Sequence, residues 1–361
     1  MTLIIFITFF CLVGLIFLHE FGHFLLAKLF KVKVEEFGLG FPPRIFGKKI
    51  GQTLFSLNLL PFGAFVKIYG EEERREEEGS FSQKPIWQRF LIVFGGVLSF
   101  WIIAFLLLTF LMGWGVPQVI ADEENGNLKE TKVQIVGIAP GSPAQISGLK
   151  IGDFIVGLKS EKVEISKIEK TKEVQEFTKE NLGKEITLVI QRGKEIFEKK
   201  ITPRVSPPEE EGPMGVVLAR MTIKSYPLLR APVEGAKATF QITLGVFQGW
   251  FEALKRVFAG KPSGVEMMGP VGVFNLFSQF GNLGPNYFLQ FLAVLSIYLA
   301  IFNALPIPAL DGGKILFLAI EGLRKKPVPQ EWERKITFFF FCLFLSLGIL
   351  VTIKDISALL K

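Results

Sequence analysis

The residues best suited to chemistry are His19-Glu20-Phe21-Gly22-His23, an H-E-x-x-H pattern inside the apolar run Leu3 to Phe30. Ionisable side chains in so long an apolar segment are costly, and function is the default reading of them. On a helix, His19 and His23 lie one turn apart and project from one face. That spacing suits two ligands of one zinc ion, with Glu20 beside them as general base. An H-E-x-x-H also occurs as charged surface on soluble helices, so the apolar setting carries the argument. These are the only two histidines in the chain.

A catalytic zinc takes three protein ligands and leaves one position for water. The third must be His, Asp, Glu or Cys, and no further His exists. The two cysteines, Cys11 and Cys342, form no Cys-x-x-Cys, which excludes a cysteine zinc site. They read as inert, buried thiols. Asp311 is the best choice, in the stretch Asn303-Ala304-Leu305-Pro306-Ile307-Pro308-Ala309-Leu310-Asp311-Gly312-Gly313. The prolines break a helix there and the glycines let the chain turn tightly beside a ligand. The alternative is that Asp311 caps a helix starting near Gly312. With zinc in place, the chemistry is amide hydrolysis. The metal acidifies a water toward a pKa of about 7, and Glu20 takes its proton and returns it to the leaving amine.

The elements that must position these groups are those of a membrane protein. The chain has 361 residues, 49% of them hydrophobic and 38 of them Phe, with a mean hydropathy of +0.40. The net charge of +7 comes from basic residues beside apolar runs, and no nucleic-acid motif accompanies it. Leu3 to about Ala27 is too long for a signal-peptide core and reads as a first span. Residues 31–84 form a basic loop, cytoplasmic by the positive-inside rule, so the N-terminus lies outside. Within it Val34 to Ile45 and Thr53 to Ile68 read as strands separated by Gly47 to Gly51. This β-hairpin either dips into the membrane or covers the helix ends in the cytosol. Glu71 to Glu78 reads as a solvated, mobile segment.

Residues 85–113 hold the second span, with a small-residue patch at Gly95, Gly96 and Ser99 suited to close helix packing. Residues 128–206 are charged and alternating, with strands at Val133 to Ile138 and Ile186 to Ile190 and a helix at Lys172 to Asn181. They form a soluble α+β domain outside the membrane. Residues 207–284 read as a linker followed by an amphipathic helix, Ala236 to Phe258, on the outer membrane surface; a spanning segment is the runner-up. Residues 285–335 hold the third span and a basic cytoplasmic segment, and 336–354 the fourth span. The fold class is therefore polytopic α-helical, with about four transmembrane helices, a membrane-associated β-hairpin and one inserted α+β domain. Lys28 snorkels at the cytoplasmic boundary, which puts His23 about 7–8 Å and His19 about 13–14 Å below it.

The two motifs together resemble the site-2 protease family of intramembrane zinc metalloproteases, in the arrangement of its bacterial regulator-of-sigma-E type. Ala139-Pro140-Gly141-Ser142-Pro143-Ala144-Gln145-Ile146-Ser147-Gly148-Leu149-Lys150-Ile151-Gly152-Asp153-Phe154-Ile155 looks like a PDZ signature. Gly269-Pro270-Val271-Gly272-Val273 extends the likeness, which covers most of the chain. The resemblance implies zinc on His19, His23 and Asp311, and substrate held by Asn303, Pro306 and Pro308. It implies cleavage of transmembrane segments of single-span proteins in the bilayer of a bacterial cytoplasmic membrane. Membrane-bound anti-sigma factors and remnant signal peptides are the substrate classes. The PDZ domain either binds peptide at a strand edge or filters substrate ectodomains by size. Two departures stand out: one PDZ copy where many relatives carry two, and Gly95-Gly96-Val97-Leu98-Ser99 where relatives carry Gly-Pro and an Asn. Two other classes compete, a catalytically silent PDZ scaffold and a transporter. The intact His19, Glu20, His23 and Asp311 disfavour the first, and the lack of an inverted repeat the second.

Overall fold

The computed structural model describes residues 2–124, 131–161, 163–208, 211–261 and 268–359. The chain begins with α1 (Thr2–Leu29), β1 (Val34–Ile50), β2 (Thr53–Ile68) and α2 (Ile86–Trp114). Then come β3 (Val116–Ile120), β4 (Lys132–Ile138), α3 (Pro143–Ile146), β5 (Phe154–Lys159), β6 (Glu164–Ile165) and α4 (Thr171–Glu180). Next are β7 (Ile186–Arg192), β8 (Glu195–Ile201), β9 (Val216–Lys224) and α5 (Ala231–Phe258). The chain ends with α6 (Pro270–Leu283), α7 (Pro285–Ala304), α8 (Asp311–Arg324) and α9 (Gln330–Leu359). It divides into two compact units.

The first unit comprises 1–108, 235–276 and 292–361. Among the described residues, four helices are long and apolar enough to cross a membrane: Phe6–Leu29, Ile86–Trp114, Pro285–Ala304 and Gln330–Ser357. They match the four expected spans, because uninterrupted apolar runs of about 20 residues or more leave little other choice. Cys11 and Cys342 are free and half-buried rather than buried. Their helices, α1 and α9, meet the rest of the chain along only part of their circumference.

The expected hairpin is more folded than its sequence suggests. β1 runs on to Ile50, so the turn falls at Gly51 and Gln52. Residues 36–39 pair both with 64–67 and with 54–57, while 44–50 pair with 53–58. Each strand is thus bent into two segments and the four lie side by side. The bends fall at Pro42-Pro43 and around Pro61, where the missing amide hydrogens interrupt a ladder. The base of this sheet packs on α1, α2 and α8 through Ala27, Val34, Ile68, Ile92, Val93 and Leu318. Its far end exposes Ile45, Phe46, Leu59 and Phe62.

Helix α5 is amphipathic in an unexpected sense. One face, with Ala238, Ile242, Val246 and Trp250, packs against Ala104 and Leu108 of α2 and Ala293, Ile297 and Ile301 of α7. The opposite face is apolar too and exposes Phe240, Leu244, Phe247 and Phe251. Glu71 to Glu78 is also tied down more than its charge density suggests. Glu71 accepts from Lys314 of α8 at 2.7 Å, and Arg74 lies 3.5 Å from Glu321 of α8, which Arg89 also grips.

The second unit comprises 109–234 and 277–291. Its sheet runs in the order β3-β9-β4-β5-β7-β8, with β6 beside β5. The core is aliphatic, with Val133, Ile135, Ile155, Leu158, Leu188 and Ile190 almost wholly buried. Ser142 caps α3 by accepting from Gln145 N, Gly148 (φ +76°) ends it, and Gly152 (φ +98°) turns into β5. Asp153, 1% exposed, is bound by Arg192 at 2.6 and 2.7 Å.

The expected linker 207–284 is the main correction. It contains β9, an interior strand of this sheet, and also α6. Arg220 breaks the apolar pattern of β9 in the sequence. It is nonetheless buried, because its guanidinium donates to the carbonyls of Ala121, Asp122, Glu124 and Glu169.

Candidate metal centre

The site lies wholly within the first unit. His19 and His23 sit on consecutive turns of α1, and Asp311 is the first residue of α8. Asp311 Oδ2 lies 3.2 Å from His19 Nε2 and 3.3 Å from His23 Nε2. These three residues form a possible metal-binding group, separated by about 290 residues of chain. Ligand atoms about 2.0–2.1 Å from a tetrahedral zinc lie about 3.3 Å from one another. The observed separations are those edges.

Protonation agrees with the spacing. His23 Nδ1 lies 2.9 Å from the carbonyl of Ile92 on α2. A carbonyl only accepts, so Nδ1 carries the hydrogen and Nε2 presents its lone pair to the centre. Asp311 Oδ2 is buried and has no hydrogen-bond donor, although two imidazole nitrogens stand beside it. An orphaned buried carboxylate oxygen facing two imidazoles is costly without a cation. The donor set, two neutral nitrogens and one anionic oxygen, suits zinc.

Asp311 is not spent on capping. Leu310 occupies the cap position of α8, with no side-chain cap bond, and Asp311 Oδ2 accepts from no backbone N–H. The loop before it explains how the carboxylate arrives. α7 ends at Ala304, and residues 305–310, with Pro306 and Pro308, carry the chain round. A side chain on Gly312 would meet Leu305 O at 2.0 Å, and one on Gly313 would meet Ile307 O at 2.4 Å. The two glycines therefore let α8 begin against the preceding loop. Ala309 holds φ +84°, a strained conformation for a residue with a Cβ, two positions from Asp311. Asn303 Nδ2 donates to Leu299 O at 2.9 Å, one turn back in α7.

Several contributors were not readable from the motifs. Phe100 of α2 stacks on His19, with centroids 4.7 Å apart and planes at 19°. Gly22 of α1 faces Gly95 of α2 so closely that a Cβ on it would meet Gly95 O at 2.3 Å. A Cβ on Gly96 would land 2.1 Å from His23 Nε2. The Gly95-Gly96 patch was visible as a packing surface, but not its partner. Ser99 donates to Gly96 O at 2.6 Å within its own helix, and its Cβ would lie 3.1 Å from a Cβ placed on Gly22. We expect Gly96→Ala to push the His23 ring off the centre and weaken zinc binding by roughly 10- to 100-fold. Metal analysis after dialysis against a competing chelator reads this, and full zinc retention would refute it.

Glu20 is half-buried, and its Oε2 accepts the Val66 N–H of β2 at 3.2 Å. A cavity of about 860 Å³ reaches the loop before Asp311, lined in part by Glu71, Arg89, Leu310, Lys314 and Glu321. Partial loss of water opposes the charge on Lys314, whose side chain is still half exposed, but Glu71, with Asp311 and Glu20 beyond it, outweighs this and raises its pKa above the ordinary lysine value. The cavity's lining stops at Leu310, next to Asp311, and includes none of His19, Glu20, His23 or Asp311.

Comparison with known proteins agrees with the geometry. The family profile described as Peptidase family M50 matches residues 7–347. A protein of Clostridium perfringens, whose name assigns it provisionally to the zinc metalloproteases, is 33% identical over 346 residues, 95% of each chain. The Regulator of sigma-W protease RasP of Bacillus subtilis is 27% identical over 426 aligned positions, 96% of each chain. The Zinc metalloprotease RasP of Shouchella clausii is 27% identical over 441, 99% of each chain.

Proposed function

The chain belongs to peptidase family M50, the site-2 protease family, and is a zinc metalloprotease; from that premise we propose that it cuts peptide bonds inside the transmembrane segments of single-span membrane proteins. The observation that carries this reading is the Nε2–Oδ2–Nε2 cluster of His19, Asp311 and His23, joined to a glutamate and borne on an apolar helix. In this reading the three residues are the zinc ligands and Glu20 is the catalytic base.

Zinc supplies a Lewis acid that acidifies an adjacent water and polarises the scissile carbonyl. Glu20 takes the proton of the attacking water and passes it to the leaving nitrogen, acting as base and then as acid. His23 is held in the ligating tautomer by the Ile92 carbonyl. The substrate helix must unwind before it reacts, because helical amides are already hydrogen-bonded. Asn303, Pro306 and Pro308 are proposed to hold the unwound segment, the prolines by keeping the 305–310 loop out of helix.

The base of the β1–β2 sheet contacts the helices that carry the centre, and its far end exposes apolar side chains beside Arg44, Lys48 and Lys49. That pattern supports association with the membrane. The sheet of the second unit is read as the PDZ domain. Its boundaries are extended here to 116–224, since β3 and β9 pair with each other and β9 with β4. Basic residues at 28–84 and 314–335 support a multi-pass topology with those segments cytoplasmic and both termini and the PDZ domain outside. The active site then lies in the cytoplasmic half of a bacterial inner membrane. The name of the Bacillus relative favours anti-sigma-factor-type substrates, with remnant signal peptides as a further class.

The test uses the purified full-length protein in lipid and a single-span substrate. We expect mass spectrometry to place the cut within the apolar segment. We expect a zinc chelator to abolish cleavage and added zinc to restore it. Cuts confined to the flanking polar regions would overturn the reading.

A further inference from the structure

We propose that the main-chain N–H of Val66 is a positioning group for the general base: the edge of the β1–β2 sheet, and not α1 alone, sets where the Glu20 carboxylate stands. The inference rests on reading Glu20 as the base.

The helix by itself does not fix where the Glu20 carboxylate stands. Successive residues on a helix point about 100° apart, so the side chain next to His19 starts off the metal-facing side. Where its carboxylate comes to rest then depends on what it meets beyond the helix. Val66 N–H is the one hydrogen-bond donor to this carboxylate among the described residues, at 3.2 Å to Oε2. Oε1 accepts from no described residue. One oxygen is therefore tethered and the other is left for proton transfer.

The register of the sheet explains why this N–H is available. Residues 64–67 pair regularly with 39–36 of β1. In an antiparallel pair the N–H groups of alternate residues point away from the partner strand. Val66 is one of these, and Ala64, two residues back, is the next. An outward N–H on a sheet edge is otherwise unpaired. Here it meets a carboxylate, and hydrogen bonds with an ionised partner are the stronger class. A backbone donor adds two properties a side chain lacks: it cannot titrate and it has no rotamers. The strand itself is held against the centre, since Ile68 and Val34 pack with Ala27 of α1 and Ile92 of α2. The Ile92 carbonyl also orients His23, so base and ligand take their positions from one packed cluster.

The test replaces the amide at position 66 by an ester, which deletes the N–H and keeps the valine side chain. The ester at Ala64 serves as comparator, because its outward N–H has no Glu20 to hold. Val66→Pro is a second variant, since proline is tolerated on an edge where the N–H lies outside the ladder. Each full-length variant is purified in lipid, its zinc content measured, and kcat and KM determined on a single-span substrate. We expect the ester and the proline at 66 to keep zinc and to lower kcat roughly 10- to 100-fold, with KM changed no more than about twofold. We expect the Ala64 ester to leave kcat within about twofold and to act, if at all, on KM. Unchanged kcat at 66, an equal kcat loss at 64 and 66, or loss of zinc at 66 would each overturn the proposal. The underlying reading fails separately: it falls if Glu20→Gln still cleaves, whatever the esters do.

Discussion

Asp311→Ala is expected to strip the protein of zinc. The substitution leaves two neutral imidazoles, His19 and His23, with no anion and no third ligand. Removing a group that merely orients a zinc ligand already costs 10- to 100-fold in affinity, and removal of a ligand should exceed that. We therefore expect affinity to fall more than about 100-fold and cleavage to vanish with the metal. The backbone has reason to stay in place. Gly312 and Gly313 make the close approach to Leu305 and Ile307, and Leu310, not Asp311, holds the cap position. Elemental analysis after gel filtration gives the metal content, and circular dichroism checks the helices. A fully loaded, folded Asp311→Ala protein would remove Asp311 from the ligand set. Its carboxylate would then need another explanation for standing 3.2 and 3.3 Å from two imidazoles.

Glu20→Gln should do the opposite: keep the metal and lose the reaction. Glutamine has the shape of glutamate and keeps a carbonyl oxygen that can accept the Val66 N–H. What it loses is the ability to take a proton. General-base catalysis contributes about 10²- to 10⁴-fold, and the loss in kcat is expected in that range, with zinc content unchanged. Cleavage retained within tenfold would dismiss Glu20 as the base. The same variant is useful in cells, because an enzyme that binds but does not cut should accumulate uncut substrates. Proteomics of membranes carrying it would show which substrate class the protein serves.

The two substitutions separate ligand from base, a distinction the motif itself already draws. H-E-x-x-H already places two imidazoles on one helical face with the acid between them in sequence. The spans were equally legible, since apolar length needs no tertiary context. The Ser142 cap and the Gly148 and Gly152 turns were readable for a similar reason: local chemistry sets local dihedrals. Harder cases share a cause. β9 was missed because Arg220 interrupts its pattern, and an arginine is buried only where distant carbonyls converge on it. The β1–β2 sheet was read as a simple hairpin because pattern and length give strands, not their pairing. The apolar stripe legible in α5 is the face that stays exposed, Phe240 to Phe258, whereas the packed face with Ala238, Ile242, Val246 and Trp250 is revealed only by its partner helices.

The sequence alone determined the donor types, their helical spacing, the apolar setting of the zinc motif and Asp311 as the best third donor. These are properties of short stretches, where periodicity and side-chain chemistry suffice. Only the tertiary structure decided that Asp311 meets His19 and His23 at zinc-ligand spacing, that Ile92 fixes the tautomer of His23, and that Gly96 leaves room for its ring. It also decided that a strand edge holds Glu20. Each of these depends on which surfaces of distant segments pack together, and close packing across long sequence separations leaves no local signature in a single chain.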